Sequence, residues 1–150
     1  MPPISDFSAT FQQSGLRLTH QRLEIFRTLL ADREHPSAEK LYAQLRRKLP
    51  TISLDTVYRN LHTMEEHGLV QRVFTENSQA RFEARREPHH HLLCRRCGRI
   101  IDVAWEAFDQ LDFPEMENRW GLIESRQATL RGICQGCLDQ SQADQDQSSD

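Results

Sequence analysis

The sequence lacks the features that would place a protein in or across a membrane. It contains no apolar run approaching the roughly 20 residues needed to span a bilayer. Residues 1–6 lack the basic and apolar regions of a signal peptide. Cysteine is scarce, with four in 150 residues. We therefore expect a cytoplasmic protein, in which cysteines are more often metal ligands than disulfide partners.

The chain also lacks the positive net charge that many nucleic-acid binders carry. It holds 19 Lys and Arg against 22 Asp and Glu, a net charge of −3. Residues 139–150 account for this deficit, because they contain four acidic residues and no basic ones. Their only apolar residue is Ala143, so we predict a disordered acidic tail. Any basic surface that binds DNA must therefore be local.

Residues 1–84 contain the parts of a winged helix-turn-helix domain. Thr19, Ser37 and Ser53 are candidate N-caps, each followed by apolar residues at helical spacing. Two β-rich runs around Glu76-Asn77-Ser78 then predict a hairpin. The predicted helices cover 6–14, 20–31, 38–45 and a segment from 54 to about Gly68, and the predicted strands cover 69–75 and 79–84.

The second half predicts a smaller α/β domain, so the fold class is α+β. Residues 85–88 interrupt both periodic patterns and form the predicted hinge. Residues 89–138 form the second domain, which ends where the acidic tail begins. Within it we expect strands at 89–93, 99–104 and 121–131 and a helix at 105–111.

All four cysteines fall in two Cys-x-x-Cys pairs that are separated by 36 residues. A tight turn of this spacing supplies two sulfurs to one metal, and zinc prefers four thiolates in a tetrahedron. A redox dithiol or an iron–sulfur cluster is the alternative, but a dithiol needs only one pair. The predicted structural zinc ligands are Cys94, Cys97, Cys134 and Cys137.

A second candidate metal site consists of histidines and carboxylates. On a strand, His89 and His91 share one face, and Asp102 lies on the neighbouring predicted strand. Glu83 and His35 could complete the site from the first domain, which would couple metal binding to domain orientation. The alternative is that these residues are only exposed and polar. We expect His90, on the opposite face, to be a surface residue.

The fourth helix presents side chains suited to reading DNA. Val57 and Leu61 point inward, which leaves the residues between them largely outward. Arginine can read guanine, asparagine can read adenine, and Tyr or Thr can contact phosphate or a thymine methyl group. The predicted DNA contacts are Thr56, Tyr58, Arg59 and Asn60, together with Arg17 ahead of the second helix.

Taken together, these pieces resemble the ferric uptake regulator superfamily of iron, zinc and peroxide sensors. The resemblance covers almost the whole chain except the tail, and the pieces stand in the family's order. They are Arg17-Leu18-Thr19-His20-Gln21-Arg22, His35-Pro36-Ser37-Ala38-Glu39, Thr56-Val57-Tyr58-Arg59-Asn60-Leu61, Arg81-Phe82-Glu83, the segment 89–97 and the distal Cys pair.

The resemblance implies a homodimer that binds a palindromic operator when a metal occupies the hinge. It assigns this regulatory metal to His35, Glu83, His89, His91 and Asp102. Among these positions, the aspartate at Asp102 resembles the residue of peroxide sensors, whereas the glutamate at Glu83 resembles that of iron sensors. The ligand atoms are nitrogen and oxygen, which suit Fe(II), Mn(II) or Zn(II).

Two departures from the family pattern concern other positions. His20 stands where the family usually has proline, which alters only the entry to the helix. A further metal site that some members carry would need histidines where this chain has Pro88 and Ser125-Arg126-Gln127. We therefore expect no third metal site.

The sequence predicts a metal-responsive transcriptional repressor that controls metal homeostasis or a peroxide response. Two alternatives stay open. A zinc hydrolase could use the histidine and carboxylate cluster, although the chain lacks a His-Glu-x-x-His or comparable motif, so we predict that the protein is not an enzyme. A zinc-stapled DNA-binding module without metal sensing is the second alternative.

Overall fold

The computed structural model describes residues 4–84, 87–112 and 117–147. The chain divides into two compact units, Met1–Arg85 and Arg86–Asp150. Of the predicted hinge, residues 85 and 86 lie outside the described residues. None of the helices in the described part of the chain has the length and apolar composition that a membrane span requires.

The first unit contains four helices followed by an antiparallel hairpin. Its second and third helices have the predicted bounds, and the other elements begin and end within two residues of their predicted positions. The elements are α1 (Ile4–Ser14), α2 (His20–Ala31), α3 (Ala38–Leu45), α4 (Leu54–Glu66), β1 (Val70–Phe74) and β2 (Ala80–Ala84).

Side-chain caps and glycines set the helix boundaries. The hydroxyls of Thr19, Ser37 and Ser53 accept backbone N–H bonds at 3.3, 3.2 and 3.1 Å, each from the residue three positions on. At the other end, α1 and α4 stop at Gly15 and Gly68, whose φ angles of +74° and +73° fall in the left-handed region. These caps give the first unit its helix-turn-helix outline.

A hydrophobic core joins the four helices to the hairpin. Phe11 of α1 packs edge-on against Phe26 of α2, with ring centroids 5.4 Å apart. Leu41, Leu61 and Phe82 extend the core through α3, α4 and β2. Burial of this apolar face fixes which sides of α2 and α4 remain outside.

The second unit contains a three-stranded sheet with strand order β4-β3-β5. Strand β3 pairs antiparallel with β4 and parallel with β5, which places His91 opposite Asp102 on one side and Thr129 on the other. The elements are β3 (His90–Cys94), β4 (Ile100–Val103), α5 (Glu106–Asp109), α6 (Glu117–Trp120), β5 (Thr129–Gly132) and α7 (Gln135–Gln147).

Two predictions for this unit were wrong in extent. The strand predicted over 121–131 covers only Thr129–Gly132, because the ladder with β3 spans only four residue pairs. The tail predicted to be disordered is helical as far as Gln147, and residues 148–150 lie outside the described residues. Low hydrophobicity argues against a separate core, but it does not prevent a helix from continuing out of an anchored first turn.

The anchor of α7 is the first cysteine turn. Arg96 donates a hydrogen bond to the Cys137 carbonyl at 2.9 Å and a second one to the Ser141 hydroxyl. Gln135 and Asp139, one turn apart, form a further side-chain bond of 2.8 Å. These contacts tie the start of α7 to the turn that follows β3.

Candidate metal sites and DNA-reading helix

The four cysteines lie together at one end of the second unit's sheet. Cys94 ends β3, and Cys134 follows β5, so the parallel register of these strands brings both pairs to the same end. Their sulfurs all lie within 4.8 Å of one another, with 3.9 Å between Cys94 and Cys137 and 3.8 Å between Cys97 and Cys134. No two of them form a disulfide.

This arrangement fits a tetrahedral zinc ion. With Zn–S bonds of about 2.3 Å, a regular tetrahedron has sulfur–sulfur edges of about 3.8 Å. Backbone N–H bonds from Cys97 and Cys134 lower the pKa of the Cys94 thiol to about 6. The Cys134 side chain and burial raise the pKa of the Cys137 thiol to about 12. Four thiolates this close repel one another, and a divalent cation would compensate that repulsion.

In the first unit, the structure pairs His35 with Glu83. The His35 ring is buried, and its Nε2 lies 2.8 Å from Glu83 Oε2 at the end of β2. His35 has a φ of +53°, a left-handed conformation that costs a non-glycine residue about 1–3 kcal/mol. Such a cost persists only where surrounding contacts impose the conformation, which is common at functional sites.

In the second unit, the structure gathers His89, His91 and Asp102, as the strand alternation predicts. Asp102 Oδ1 lies 3.4 Å from His91 Nε2 and 3.6 Å from His89 Nε2. The two imidazole rings meet edge to face, with centroids 5.0 Å apart. His91 is almost fully buried, and His89 is partly exposed. Two imidazoles and one carboxylate of this kind can serve as ligands of one divalent metal.

His90 points to the opposite face, but it is not the surface residue that the sequence suggested. Its ring is fully buried against Trp105 and Phe108, because α5 and the loop before it cover this face of β3. The Ala128 N–H donates to His90 Nδ1 at 3.0 Å, so Nε2 carries the proton that is shared with Asp109 at 3.0 Å. Both ring nitrogens are therefore occupied within the fold.

On α4, Thr56, Tyr58 and Arg59 are at least partly exposed, as predicted for a DNA-reading surface. Each already has a partner within the first unit. Thr56 meets the Ser53 hydroxyl at 2.8 Å, and Arg59 forms an exposed ion pair of 3.0 Å with Asp55. The Tyr58 hydroxyl donates to Glu39 at 2.6 Å, which lowers the pKa of Glu39 and raises that of Tyr58.

Asn60 differs from the other predicted DNA contacts because it takes part in a network within the fold. Its Oδ1 accepts a bond of 3.2 Å from Arg22 Nε, and its Nδ2 donates to the Thr56 carbonyl at 2.9 Å. Arg22 also donates to the Arg17 carbonyl at 2.7 Å, while Arg17 itself is exposed. Arg22 thereby joins the segment before α2 to the middle of α4.

Sequence reasoning missed two arginines that organise these sites, Arg22 and Arg81. Arg81 donates to the carbonyl of His35 and, at 3.0 Å, to that of Glu34. A signal for Arg81 was available, because it stands two residues before Glu83 on a predicted strand and so shares its face. Nothing in a single sequence pairs Arg22 with Asn60, since they are 38 positions apart and no local pattern connects them.

The chain is similar to a known protein family over most of its length. The model of the Ferric uptake regulator family matches residues 13–124. The chain therefore belongs to the ferric uptake regulator family. The peroxide-responsive repressor PerR of Staphylococcus epidermidis is 29% identical over 137 residues, which is 91% of each chain.

Two solved structures share the fold. The ferric uptake regulator of Vibrio cholerae matches with a TM-score of 0.67 and 29% identity, over 85% of this chain and 98% of that one. The ferric uptake regulator of Pseudomonas aeruginosa, solved with manganese, matches with a TM-score of 0.72 and 26% identity, over 85% and 97%. The predicted α+β fold class and the family resemblance are both confirmed.

Family membership places the protein among metal-responsive transcriptional regulators rather than enzymes. This confirms the prediction that it is not an enzyme. Its Cys94, Cys97, Cys134 and Cys137 cluster is compatible with a structural zinc.

Proposed function

We propose that the protein is a homodimeric repressor that binds a palindromic DNA operator when a divalent metal occupies a regulatory site. The proposal assigns His35, Glu83, His89, His91 and Asp102 to that metal, which is Fe(II), Mn(II) or Zn(II). The observation that carries it is the pairing of imidazole with carboxylate in each unit, at 2.8 Å for His35 and Glu83 and 3.4 Å for His91 and Asp102.

In this proposal the two metals have different roles. The Cys cluster holds a zinc that stabilises the second unit, because structural zinc sites contribute on the order of 10 kcal/mol of apparent binding free energy. The histidines and carboxylates hold the exchangeable metal, and their nitrogen and oxygen atoms suit several first-row divalent metals. One cation bound by ligands of both units would favour a single arrangement of the units.

The metal must favour the DNA-competent state by a substantial free energy. To shift a two-state population from 1:99 to 99:1, the metal must prefer the DNA-competent state by about 5.5 kcal/mol. A site with several ligands supplied by two units can provide that preference, because separating the units removes ligands from the metal. Losing a single ligand should therefore weaken metal-dependent DNA binding without abolishing the fold.

The first unit supplies the DNA contacts in this proposal. Thr56, Tyr58 and Arg59 on α4 would enter the major groove, and Arg17 would contact phosphate or the minor groove. The Asn60 amide would release its bonds to Arg22 and Thr56 in order to read a base, or would position α4 without reading one. Asn60→Ala should relax the preference at one base pair if Asn60 reads a base, and should weaken binding to all sequences alike if Asn60 only positions α4.

An apolar row on the second unit supports the proposed homodimer. Leu92, Ile101 and Leu130 lie side by side across β4-β3-β5 in register, and each is about 40% exposed. Apolar residues that are contiguous on one sheet face mark interaction surfaces more often than isolated ones do. A second copy of the chain that covered this face would bring two DNA-binding units to a palindromic site.

The proposal is tested by metal counting and DNA binding on the full chain. Mild chelation is followed by titration with Zn(II), Mn(II) and anaerobic Fe(II). A duplex selected from a random library with the metal-loaded protein then serves as the anisotropy probe. His89→Ala removes one proposed ligand, and His67→Ala is the matched control, because His67 is exposed at the end of α4.

We expect one tightly held zinc and about one exchangeable metal per chain, with only the latter lost in His89→Ala. The order of affinities for the three metals narrows the choice of regulatory metal, although zinc is expected to bind most tightly at most sites of this kind. If the DNA affinity of the wild-type protein is already independent of added metal, and His89→Ala and His35→Ala leave it unchanged, the protein is a zinc-stapled DNA-binding module without metal sensing.

The similarity to a peroxide-responsive repressor favours a second signal for the same site. In a peroxide sensor, the Fe(II)-loaded protein would lose DNA after peroxide addition because a ligand such as His89 or His35 is oxidised. Mass spectrometry should then detect one added oxygen atom on the corresponding peptide. In a Mn(II)-loaded control, DNA binding and peptide masses should stay unchanged.

A further inference from the structure

The loop that carries His35 adopts a conformation that the chain does not favour by itself. Its φ of +53° is left-handed, which is uncommon for a residue with a Cβ. His35 also precedes Pro36, and the residue before a proline is restricted towards extended conformations. Contacts elsewhere in the first unit must therefore impose the position of this ring.

Arg81 supplies the central contact. Its guanidinium donates two hydrogen bonds to consecutive backbone carbonyls of this loop, from Nε to His35 O and from a terminal nitrogen to Glu34 O at 3.0 Å. The planar fork of arginine suits two adjacent acceptors, whereas a lysine ammonium acts as a single point charge. Arg81 therefore fixes both the position and the orientation of the peptide that carries the imidazole.

The strand β2 places this arginine beside the other ligand of the first unit. Arg81 and Glu83 are two residues apart, so they share one face of β2, while Phe82 points to the core. The Phe82 N–H donates to the Pro36 carbonyl at 2.9 Å, which joins the outer edge of β2 to the same loop. One short strand thus provides the metal-binding carboxylate and the group that holds its histidine partner.

We infer that Arg81 is a positioning residue for the regulatory metal: it holds the loop so that His35 Nε2 faces Glu83 before a cation binds. This inference rests on the proposed function, because it concerns the same site. Arg81 does not itself bind the metal, since a guanidinium offers no acceptor. Groups that orient ligands in this way typically change metal affinity about 10–100-fold when they are mutated.

The test measures Mn(II) affinity of the full-length, zinc-loaded protein through the EPR signal of free Mn(II). Arg81→Gln removes the paired donors, and Arg81→Lys keeps the charge with a single donor group. Arg72→Gln is the matched control on the same hairpin: Arg72 is similarly half-buried, pairs with Glu65 at 3.0 Å and stacks on Phe82. His35→Ala, alone and combined with Arg81→Gln, completes a double-mutant cycle.

We expect Arg81→Gln to weaken Mn(II) binding about tenfold or more, with zinc content unchanged. Arg81→Lys should fall between Arg81→Gln and wild type, and Arg72→Gln should stay within about twofold of wild type. In the His35→Ala background, Arg81→Gln should have almost no further effect, because the side chain through which it acts is gone.

Three outcomes would overturn the inference. The first is an Arg81→Gln effect of equal size with and without His35, which would show a general destabilisation of the hairpin. The second is Mn(II) affinity unchanged by Arg81→Gln while His35→Ala lowers it, which would leave the proposed metal site standing. The third is affinity unchanged by His35→Ala itself, which would remove the proposed site together with the inference.

Discussion

The two units of this protein differ in the interactions that can stabilise them. In the first unit, Phe11, Leu41 and Leu61 belong to a core that four helices and a hairpin enclose. In the described part of the second unit, the buried apolar side chains are few, Leu93 and Ile100 among them, and two cysteines of the quartet are buried beside them. A small domain with so thin a core gains from a metal or from oligomerisation.

Because of this difference, we expect the two units to respond differently to substitutions. A hydrophobic core loses stability in increments, because each apolar side chain contributes a part of the total. A zinc site is lost as a whole, because three thiolates bind the ion far less tightly than four. The ligands proposed for the regulatory metal come from both units, so a defect in either unit should lower the proposed metal-dependent DNA binding.

The largest effect is expected when the proposed zinc site of the second unit is removed. Cys134→Ser should release the zinc and unfold the second unit, since the lost binding free energy is on the order of 10 kcal/mol. Amide exchange in the first unit should stay as slow as in the wild-type protein measured alongside. Hydrogen exchange with mass spectrometry and zinc analysis would measure both. Arg95→Ala is the control within the first cysteine turn, and a second unit that stays protected in zinc-free Cys134→Ser would contradict the prediction.

The converse change removes part of the first unit's core. Leu61 is fully buried on α4, and Leu61→Ala should lower the free energy of unfolding by about 2–5 kcal/mol. Zinc content should stay unchanged, because the cysteines belong to the other unit. Urea denaturation followed by exchange at first-unit amides gives the measurement. Leu122→Ala, at a side chain that is 80% exposed, should stay within about 0.5 kcal/mol of wild type.

A smaller change tests the helix boundary next to the proposed DNA contacts. Ser53→Ala removes the cap that accepts the Thr56 N–H at 3.1 Å, which should cost about 1 kcal/mol. Ser53→Thr should restore most of this loss, since threonine also caps helices. Both can be measured by urea denaturation, and a loss in Ser53→Ala that Ser53→Thr fails to recover would point to a role other than capping.

The smallest effect concerns pH and the loop before His35. Burial raises the pKa of Asp32, but hydrogen bonds from the Glu34 N–H, Gln44 and Lys40 more than offset it, so the pKa lies below its usual 3.8. A lowered pKa means that the carboxylate stabilises the first unit above about pH 4 and that this contribution is lost as pH falls further.

Asp32→Asn reports this contribution directly. The difference in urea midpoint between wild type and Asp32→Asn should be constant from pH 7 down to about pH 5 and shrink below about pH 4. A difference that instead grew on acidification would reverse the assigned sign. Asp6→Asn, at an exposed position in α1, provides the control.

The sequence predicted most elements because their signals are local. Thr19, Ser37 and Ser53 each stand directly before an apolar periodic run, and Cys-x-x-Cys spacing specifies its own turn. Strand alternation also predicted that His89 and His91 share a face with Asp102 nearby. The DNA-contact and regulatory-metal assignments stay predictions.

What could not be predicted depends on partners that are distant in sequence. The strand predicted over 121–131 is shorter in the structure, because its ladder depends on the length of β3. His90 is buried, contrary to the prediction, because α5 covers it. The Arg22–Asn60 and Arg81–His35 bonds join residues 38 and 46 positions apart. Helix α7 extends beyond the composition-based boundary because Arg96 anchors its first turn.

The parallel pairing of β3 with β5 has a consequence for how the second unit folds. Leu92 pairs with Leu130, so the chain between β3 and β5 must close as one long loop before this ladder can form. Such long-range pairings are slow, because loop closure costs entropy before any contact repays it. A slip of two residues would shift one cysteine pair by about 6.6 Å. The proposed zinc should therefore bind late in folding, and only to chains in which β3 and β5 are paired in the correct register.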